Sequence, residues 1–136
     1  MSYSVNKITT IADCDLLLAW AAKEKADLNF KKLSEERLTT NYSTATIEIE
    51  AELQSVLTEI TATETIIAAL PAGNSREDAV KKKVRLEYKK FLLENRKERY
   101  GVVALLEKEL DLTTVTLNLA EIDVFITAIN TRKASL

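Results

Sequence analysis

The chain has 136 residues and a formal net charge of −2, a length that suits one domain and a charge that gives no overall attraction to nucleic acid or anionic membranes. With 46% hydrophobic and 29% charged residues, it is too apolar for a disordered tail. Two glycines and one proline are too few for the turns of an all-β sandwich. We therefore expect a single all-α domain over residues 1–136.

The composition also excludes several kinds of chemistry. Without histidine there is no Ser–His–Asp or Cys–His catalysis, no histidine-containing zinc site and no Glu-x-x-His di-iron ligand set. One cysteine, Cys14, rules out an intrachain disulfide and is compatible with a reducing compartment. We expect a protein that is not an enzyme and that uses no cofactor or metal.

The first predicted element is a long helix over about residues 7–70. Its apolar residues recur with heptad spacing, most clearly at Ile49, Leu53, Val56, Ile60 and Ile67. The same frame runs back to Ile11, Cys14, Leu18, Ala21 and Leu28, and the core positions between the two runs are polar: Lys25, Lys32, Glu35 and Thr39. Residues 39–44 are β-branched and cap-prone, which makes them poor helix formers.

The second predicted element is a turn at Pro71–Ser75. Pro71 cannot continue the preceding helix, and Gly73-Asn74 tolerates positive φ. Ser75, followed by acidic residues, has the character of a helix N-cap. A short loop between two helices makes them antiparallel neighbours.

The third predicted element is a helix over about residues 76–131. Its heptad frame places Val84 and Phe91 in the core early on, followed by Leu105, Leu112, Val115, Leu119, Ile122, Ile126 and Ile129. Gly101, preceded by basic residues, resembles a helix C-terminus. The favoured fold is therefore an antiparallel coiled-coil helical hairpin. The alternative is a compact up-down four-helix bundle with breaks near 39–44 and 100–101.

The two arms carry opposite charge. Residues 38–75 contain five glutamates and no lysine or arginine, whereas residues 76–99 contain ten basic and five acidic residues. Opposite charges on the two arms favour antiparallel pairing and would fix its register.

The open end of the hairpin has more apolar residues than one seam can cover. Residues 11–22 are apolar around most of the helix, and the C-terminal helix has a second apolar row. A helix that is apolar on several sides must be surrounded. The predicted interface residues are Ile8, Leu16, Trp20, Val103, Leu106, Leu110, Leu117 and Val124.

The predicted function is accordingly a non-enzymatic structural or protein-interaction module, which self-associates or docks with partner helices through this open end. We expect a homo-oligomer or a helical protein partner, and no nucleic-acid partner. No segment fits a cleaved secretory signal or a membrane span. This predicts a cytoplasmic protein, or part of a larger assembly exported without a cleaved signal.

The alternative function is nucleic-acid or polyanion binding through residues 81–99. Basic residues in this segment alternate with Tyr88, Phe91 and Tyr100, and Lys82, Lys89 and Arg96 are the candidate phosphate contacts. A solvated helix face, partly neutralised by the acidic arm, explains the same residues without a ligand.

Overall fold

The computed structural model describes residues 2–136, and the chain is all-α. A short 3₁₀ turn, Val5–Lys7, precedes three helices: α1 (Ile11–Ala69), α2 (Asn74–Tyr100) and α3 (Val102–Ala134). α1 packs against both α2 and α3, so the predicted all-α helical hairpin is confirmed.

Helix α1 begins four residues later than expected and does not break at residues 39–44. At its start, the Asp13 amide donates to Thr10 Oγ1 (3.2 Å), which caps the helix. Further along, Thr39 Oγ1 donates to the Lys108 carbonyl oxygen (3.4 Å). Thr46 Oγ1 lies 2.8 Å from the Tyr42 carbonyl oxygen and 2.7 Å from the Tyr100 carbonyl oxygen. The acceptors lie on α3, on α1 itself and on α2, and α1 is continuous through this segment. The break at 39–44 that the four-helix alternative requires is therefore absent.

The start of α2 differs from the sequence prediction. Its N-cap is Gly73, with a φ of 151° and no side-chain cap hydrogen bond, and the helix already begins at Asn74. The prediction that Ser75 caps the helix is therefore wrong. Backbone at this φ is available essentially only to glycine, so Gly73 rather than a capping side chain sets the turn.

The expected second helix is divided at Gly101. This residue has extended backbone (φ −80°, ψ −170°), yet its carbonyl oxygen accepts from the Leu105 amide at 3.0 Å. A Cβ on Gly101 would lie 2.3 Å from the Lys97 carbonyl oxygen, so only glycine fits here. The break near 100–101 thus exists, but it is one residue wide.

This break changes which residues of α2 face α1. The predicted core frame is confirmed along α3 and along α1 after Ile11, which is 47% exposed, but it is wrong for α2, where Val84 is 60% and Phe91 56% exposed. The residues of α2 that are buried or half-buried are instead Ala79, Lys83, Leu86, Lys90 and Leu93. Because the backbone at Gly101 is not helical, the heptad repeat is interrupted there. The residues of α2 that pack on α1 are therefore shifted by one position relative to the heptad frame of α3.

Contacts divide the chain into two compact units, each built from both arms. The terminal unit comprises the residues up to Thr39 together with Lys108–Leu136, and the turn unit is Thr40–Glu107. The terminal unit is centred on buried Cys14, Ala21, Val115, Leu119 and Ile129, and the turn unit on Ile49, Val56, Ile60 and Leu93. The prediction of a single domain stays a prediction.

Oppositely charged arms contribute less to pairing than the sequence suggests. In the described part of the turn unit, one ion pair joins the arms, between Lys83 and Glu64 (3.2 Å). The other glutamates of the acidic arm, Glu48, Glu50, Glu52 and Glu59, form no ion pair with any described residue. In the turn unit, apolar packing therefore contributes more than ion pairs to holding α1 and α2 together.

Candidate interaction surfaces

Helix α3 is apolar on two opposite faces. The face towards α1 buries Val115, Leu119 and Ile129. The opposite face exposes Leu110, Leu117 and Val124, which are spaced by seven residues and therefore lie in one row along the helix. With Thr113 and Ala120 between them, these residues repeat the spacing of a coiled-coil seam. We call them the outer row of α3.

Two other predicted interface residues, Val103 and Leu106, continue this spacing but belong to the turn unit. Both are exposed.

On α1, Leu16 is 70% and Trp20 52% exposed. Leu16 lies opposite the buried residues Cys14 and Ala21, so it faces away from α3. The structure therefore does not combine the predicted residues of the terminal unit into one surface. It separates them into the outer row of α3 and the Leu16–Trp20 pair of α1.

An aromatic cluster lies beside Trp20. The Trp20 and Phe125 rings meet edge to face at 6.0 Å, and Tyr3 packs on the other side of Phe125 at 5.1 Å. With Glu24, Leu28, Asn118, Glu121 and Ile122, these rings line an open groove of about 390 Å³. Part of the Trp20 ring is thus already engaged within the chain.

The N-terminal segment is fixed to α3. The Tyr3 hydroxyl donates to a Glu121 carboxylate oxygen, and this hydrogen bond raises the pKa of Tyr3 above its ordinary value. The Arg132 guanidinium donates twice to the Ile8 carbonyl oxygen, at 3.0 and 2.8 Å. Ile8 is half-buried, so this predicted interface residue takes part in packing within the chain.

The sequence analysis missed two sets of exposed apolar residues. Phe30 and Leu33 are exposed on α1, and Val80, Val84, Tyr88 and Phe91 are exposed on α2. The first pair could have been found, because both residues fall outside the core positions of the α1 frame. Val80, Val84 and Phe91 of the second set could not, because the predicted frame is displaced by one residue on α2 and puts them in the core. Tyr88 lies outside that frame and could also have been found.

The basic residues of the alternative function are all exposed. Lys82, Lys89 and Arg96 are spaced by seven residues, so they share one side of α2. None of them forms an ion pair with any residue in 2–136.

Neither a metal centre nor a reactive thiol emerges from the described residues. No group of three or more His, Cys, Asp or Glu in residues 2–136 could hold a metal ion. The one thiol, Cys14, is fully buried.

One helical stretch, Asn74–Ala134 taken across Gly101, is long and apolar enough to cross a membrane by length and composition. This is weak evidence, because the core helix of a soluble protein passes the same test. The expected absence of a membrane span stays a prediction.

No family model, curated protein or solved structure matches the chain.

Proposed function

We propose that this protein is a non-enzymatic assembly module, which self-associates or docks with partner helices through the apolar surfaces of its terminal unit. The observation that carries the proposal is the outer row of α3. Leu117 is 65% exposed, whereas Leu119, two residues later on the packed face, is 9% exposed. A helix with two apolar faces has one more face than a two-helix pair covers.

The energetic argument concerns apolar area left in water. Burying such area yields about 25 cal/mol per Å², and coiled-coil spacing allows the outer row to pack against another helix without change of backbone. Leu110, Leu117 and Val124 are each more than half exposed, so this row is the apolar area that a partner helix would cover.

Leu16 and Trp20 offer a second contact on the opposite side of the terminal unit. A module that can be contacted on two sides can join more than one neighbour. The protein would then act as a building unit or scaffold, with a second copy of itself as the simplest partner.

The test is sedimentation velocity of the full chain over a range of concentrations, with Leu117→Glu as the variant. We expect the variant to weaken association about tenfold or more, because the added carboxylate would be buried in the interface. Far-ultraviolet circular dichroism should be unchanged, since Leu117 is not part of the packed face. Thr116→Glu is the matched control: it adds the same charge to the neighbouring exposed position, away from the row, and should leave association within about twofold of wild type.

Trp20→Glu tests the second contact in the same way. If neither Leu117→Glu nor Trp20→Glu changes the mass distribution of an associating wild-type chain, the terminal-unit surfaces are not the interface. A wild-type chain that remains monomeric at high concentration would refute the self-association part of the proposal.

The alternative function, polyanion binding, is supported by the exposed and unpaired side chains of Lys82, Lys89 and Arg96. It predicts retention on heparin at low salt that decreases when these three residues are neutralised. Absence of retention would exclude it.

A further inference from the structure

The turn unit has complementary charges that the chain itself leaves unpaired. Glu52 and Glu59 on α1, and Lys89 and Arg96 on α2, are all exposed and form no ion pair with any residue from 2 to 136. A chain with a net charge of only −2 thus presents separate acidic and basic rows. Their placement on the two helices indicates what they bind.

The acidic row lies on one side of α1. Glu48, Glu52 and Glu59 are four and seven residues apart, so they are neighbours along one side of the helix. They lie about a quarter turn from Ile49 and Val56, the buried residues that face α2. The row therefore flanks the seam.

The basic row occupies the corresponding place on α2. Lys89 and Arg96, together with Lys82, lie about a quarter turn from the middle of the α2 face that packs on α1, in the same rotational sense along the chain. Because α1 and α2 run antiparallel, the same sense of rotation brings both rows to the same side of the helix pair. One side of the turn unit thus carries an acidic row and a basic row next to each other.

The two rows are also matched in level. Thr46 lies beside Tyr100, with 2.7 Å between the Thr46 hydroxyl and the Tyr100 carbonyl oxygen. Glu64 lies beside Lys83, with 3.2 Å between the carboxylate oxygen and the lysine Nζ. Counting along both helices between these contacts places Glu52 level with Arg96, and Glu59 level with Lys89. Rotation by a two-fold axis parallel to the helices does not change the height of a residue along the helices. It would place α1 of one copy over α2 of the other, with Glu52 still level with Arg96 and Glu59 with Lys89.

We propose that this side of the turn unit binds a second copy of the chain about such a two-fold axis. Glu52 and Glu59 of each copy then pair with Arg96 and Lys89 of the other, and all neighbouring helices are antiparallel. A self-complementary surface of this kind is what a two-fold interface requires. A nucleic acid or another polyanion fits less well, because the glutamate row beside the basic row repels it.

This interface uses a surface different from that of the proposed terminal-unit association and does not depend on it. Exposed ion pairs contribute little individually and are screened by salt. The contact therefore fixes the orientation of two copies more than it adds affinity, and it weakens at high ionic strength.

The test is a charge-swap experiment on the full chain, followed by sedimentation velocity at about 50 mM salt, where screening is weak. One variant is Lys89→Glu with Arg96→Glu, and the other is Glu52→Lys with Glu59→Lys. Each alone places like charges across the two-fold axis and should associate about tenfold or more weakly than wild type. An equimolar mixture restores opposite charges at every position and should return to within about threefold of wild type.

Two controls separate the possible outcomes. Glu50→Lys changes the same charge on the other side of α1 and should leave association within about twofold of wild type, whereas Glu52→Lys should weaken it. Repeating the swap with Trp20→Glu and Leu117→Glu added to both chains removes the terminal-unit contacts, so that the charge-dependent association is measured alone. Failure of the mixture to recover would overturn the proposal, and so would loss of heparin retention in the Lys89→Glu, Arg96→Glu chain with no change in self-association.

Discussion

Helices α2 and α3 belong to the same arm and are separated by one glycine, yet they present different surfaces. α2 buries one residue, Leu93, while α3 buries Val115, Leu119 and Ile129. Away from α1, both helices expose apolar side chains, and α2 carries a row of basic residues in addition. The difference indicates two kinds of contact: an apolar row of coiled-coil spacing provides affinity, and matched charge rows provide orientation.

The largest expected effect is the difference in the free energy of unfolding between substitutions on the packed face and on the outer row of α3. Leu119→Ala should lower the free energy of unfolding by about 2–4 kcal/mol, because it leaves a cavity in the packed face. Leu117→Ala, the matched change on the outer row, should change the unfolding of the monomer by less than about 0.5 kcal/mol. Urea denaturation at low protein concentration measures both, and equal losses would contradict the two-faced description of α3.

The junction between α2 and α3 provides the next test. Gly101→Ala should lower the free energy of unfolding by about 2 kcal/mol, because the new Cβ would collide with the Lys97 carbonyl oxygen unless the backbone moves. Alanine is otherwise the better helix former. A thermal unfolding midpoint that rises in the variant would show that the offset between α2 and α3 does not need glycine.

A polar residue on the packed face of α1 in the terminal unit provides a smaller effect, in which a substitution raises the free energy of unfolding. Glu35 is half-buried, and its Oε2 atom is buried with no hydrogen-bond partner among residues 2–136. Glu35→Leu should therefore raise the free energy of unfolding by about 1 kcal/mol. Glu36→Leu, the exposed neighbouring control, should change it by less than about 0.5 kcal/mol, and a similar gain from both variants would attribute the effect to general hydrophobicity.

The smallest expected effect concerns the N-terminal segment. Because the Tyr3 hydroxyl donates to Glu121, the pKa of Tyr3 is raised, and the bond contributes to stability below the ordinary tyrosine pKa of 10.0. This contribution is lost as the pH rises through the raised pKa. An ultraviolet absorbance titration should show a late component from Tyr3, which ionises above its ordinary pKa of 10.0. In Tyr3→Phe this late component should be missing, and its persistence would assign it to another tyrosine.

Much of the fold follows from the sequence because long heptad repeats are strong local signals. They predicted the course of α1 and the packed face of α3, and a single Pro-Gly segment marked the turn. The continuity of α1 through residues 39–44 does not follow from local signals, because it depends on tertiary hydrogen bonds such as the one from the Thr39 hydroxyl to the Lys108 carbonyl oxygen. Helix propensity does not include such bonds.

The surfaces were harder to predict. A one-residue offset at Gly101 rotates α2 relative to the predicted frame, which exposes Val84 and Phe91 and could not be recognised without backbone geometry. The outer row of α3 was recognised because its spacing is regular. That Ile8 is tied to Arg132 instead of facing a partner depends on contacts far apart in sequence.

The most direct measurement of the central claim is sedimentation equilibrium of the unmodified chain, combined with the fluorescence of Trp20, its only tryptophan. Trp20 is half exposed in the single chain, so burial in an interface would shift its emission to shorter wavelength. We predict a mass that rises with concentration to a multiple of 15.2 kDa, accompanied by that shift. A constant mass of 15.2 kDa with unchanged emission up to millimolar concentration would contradict it.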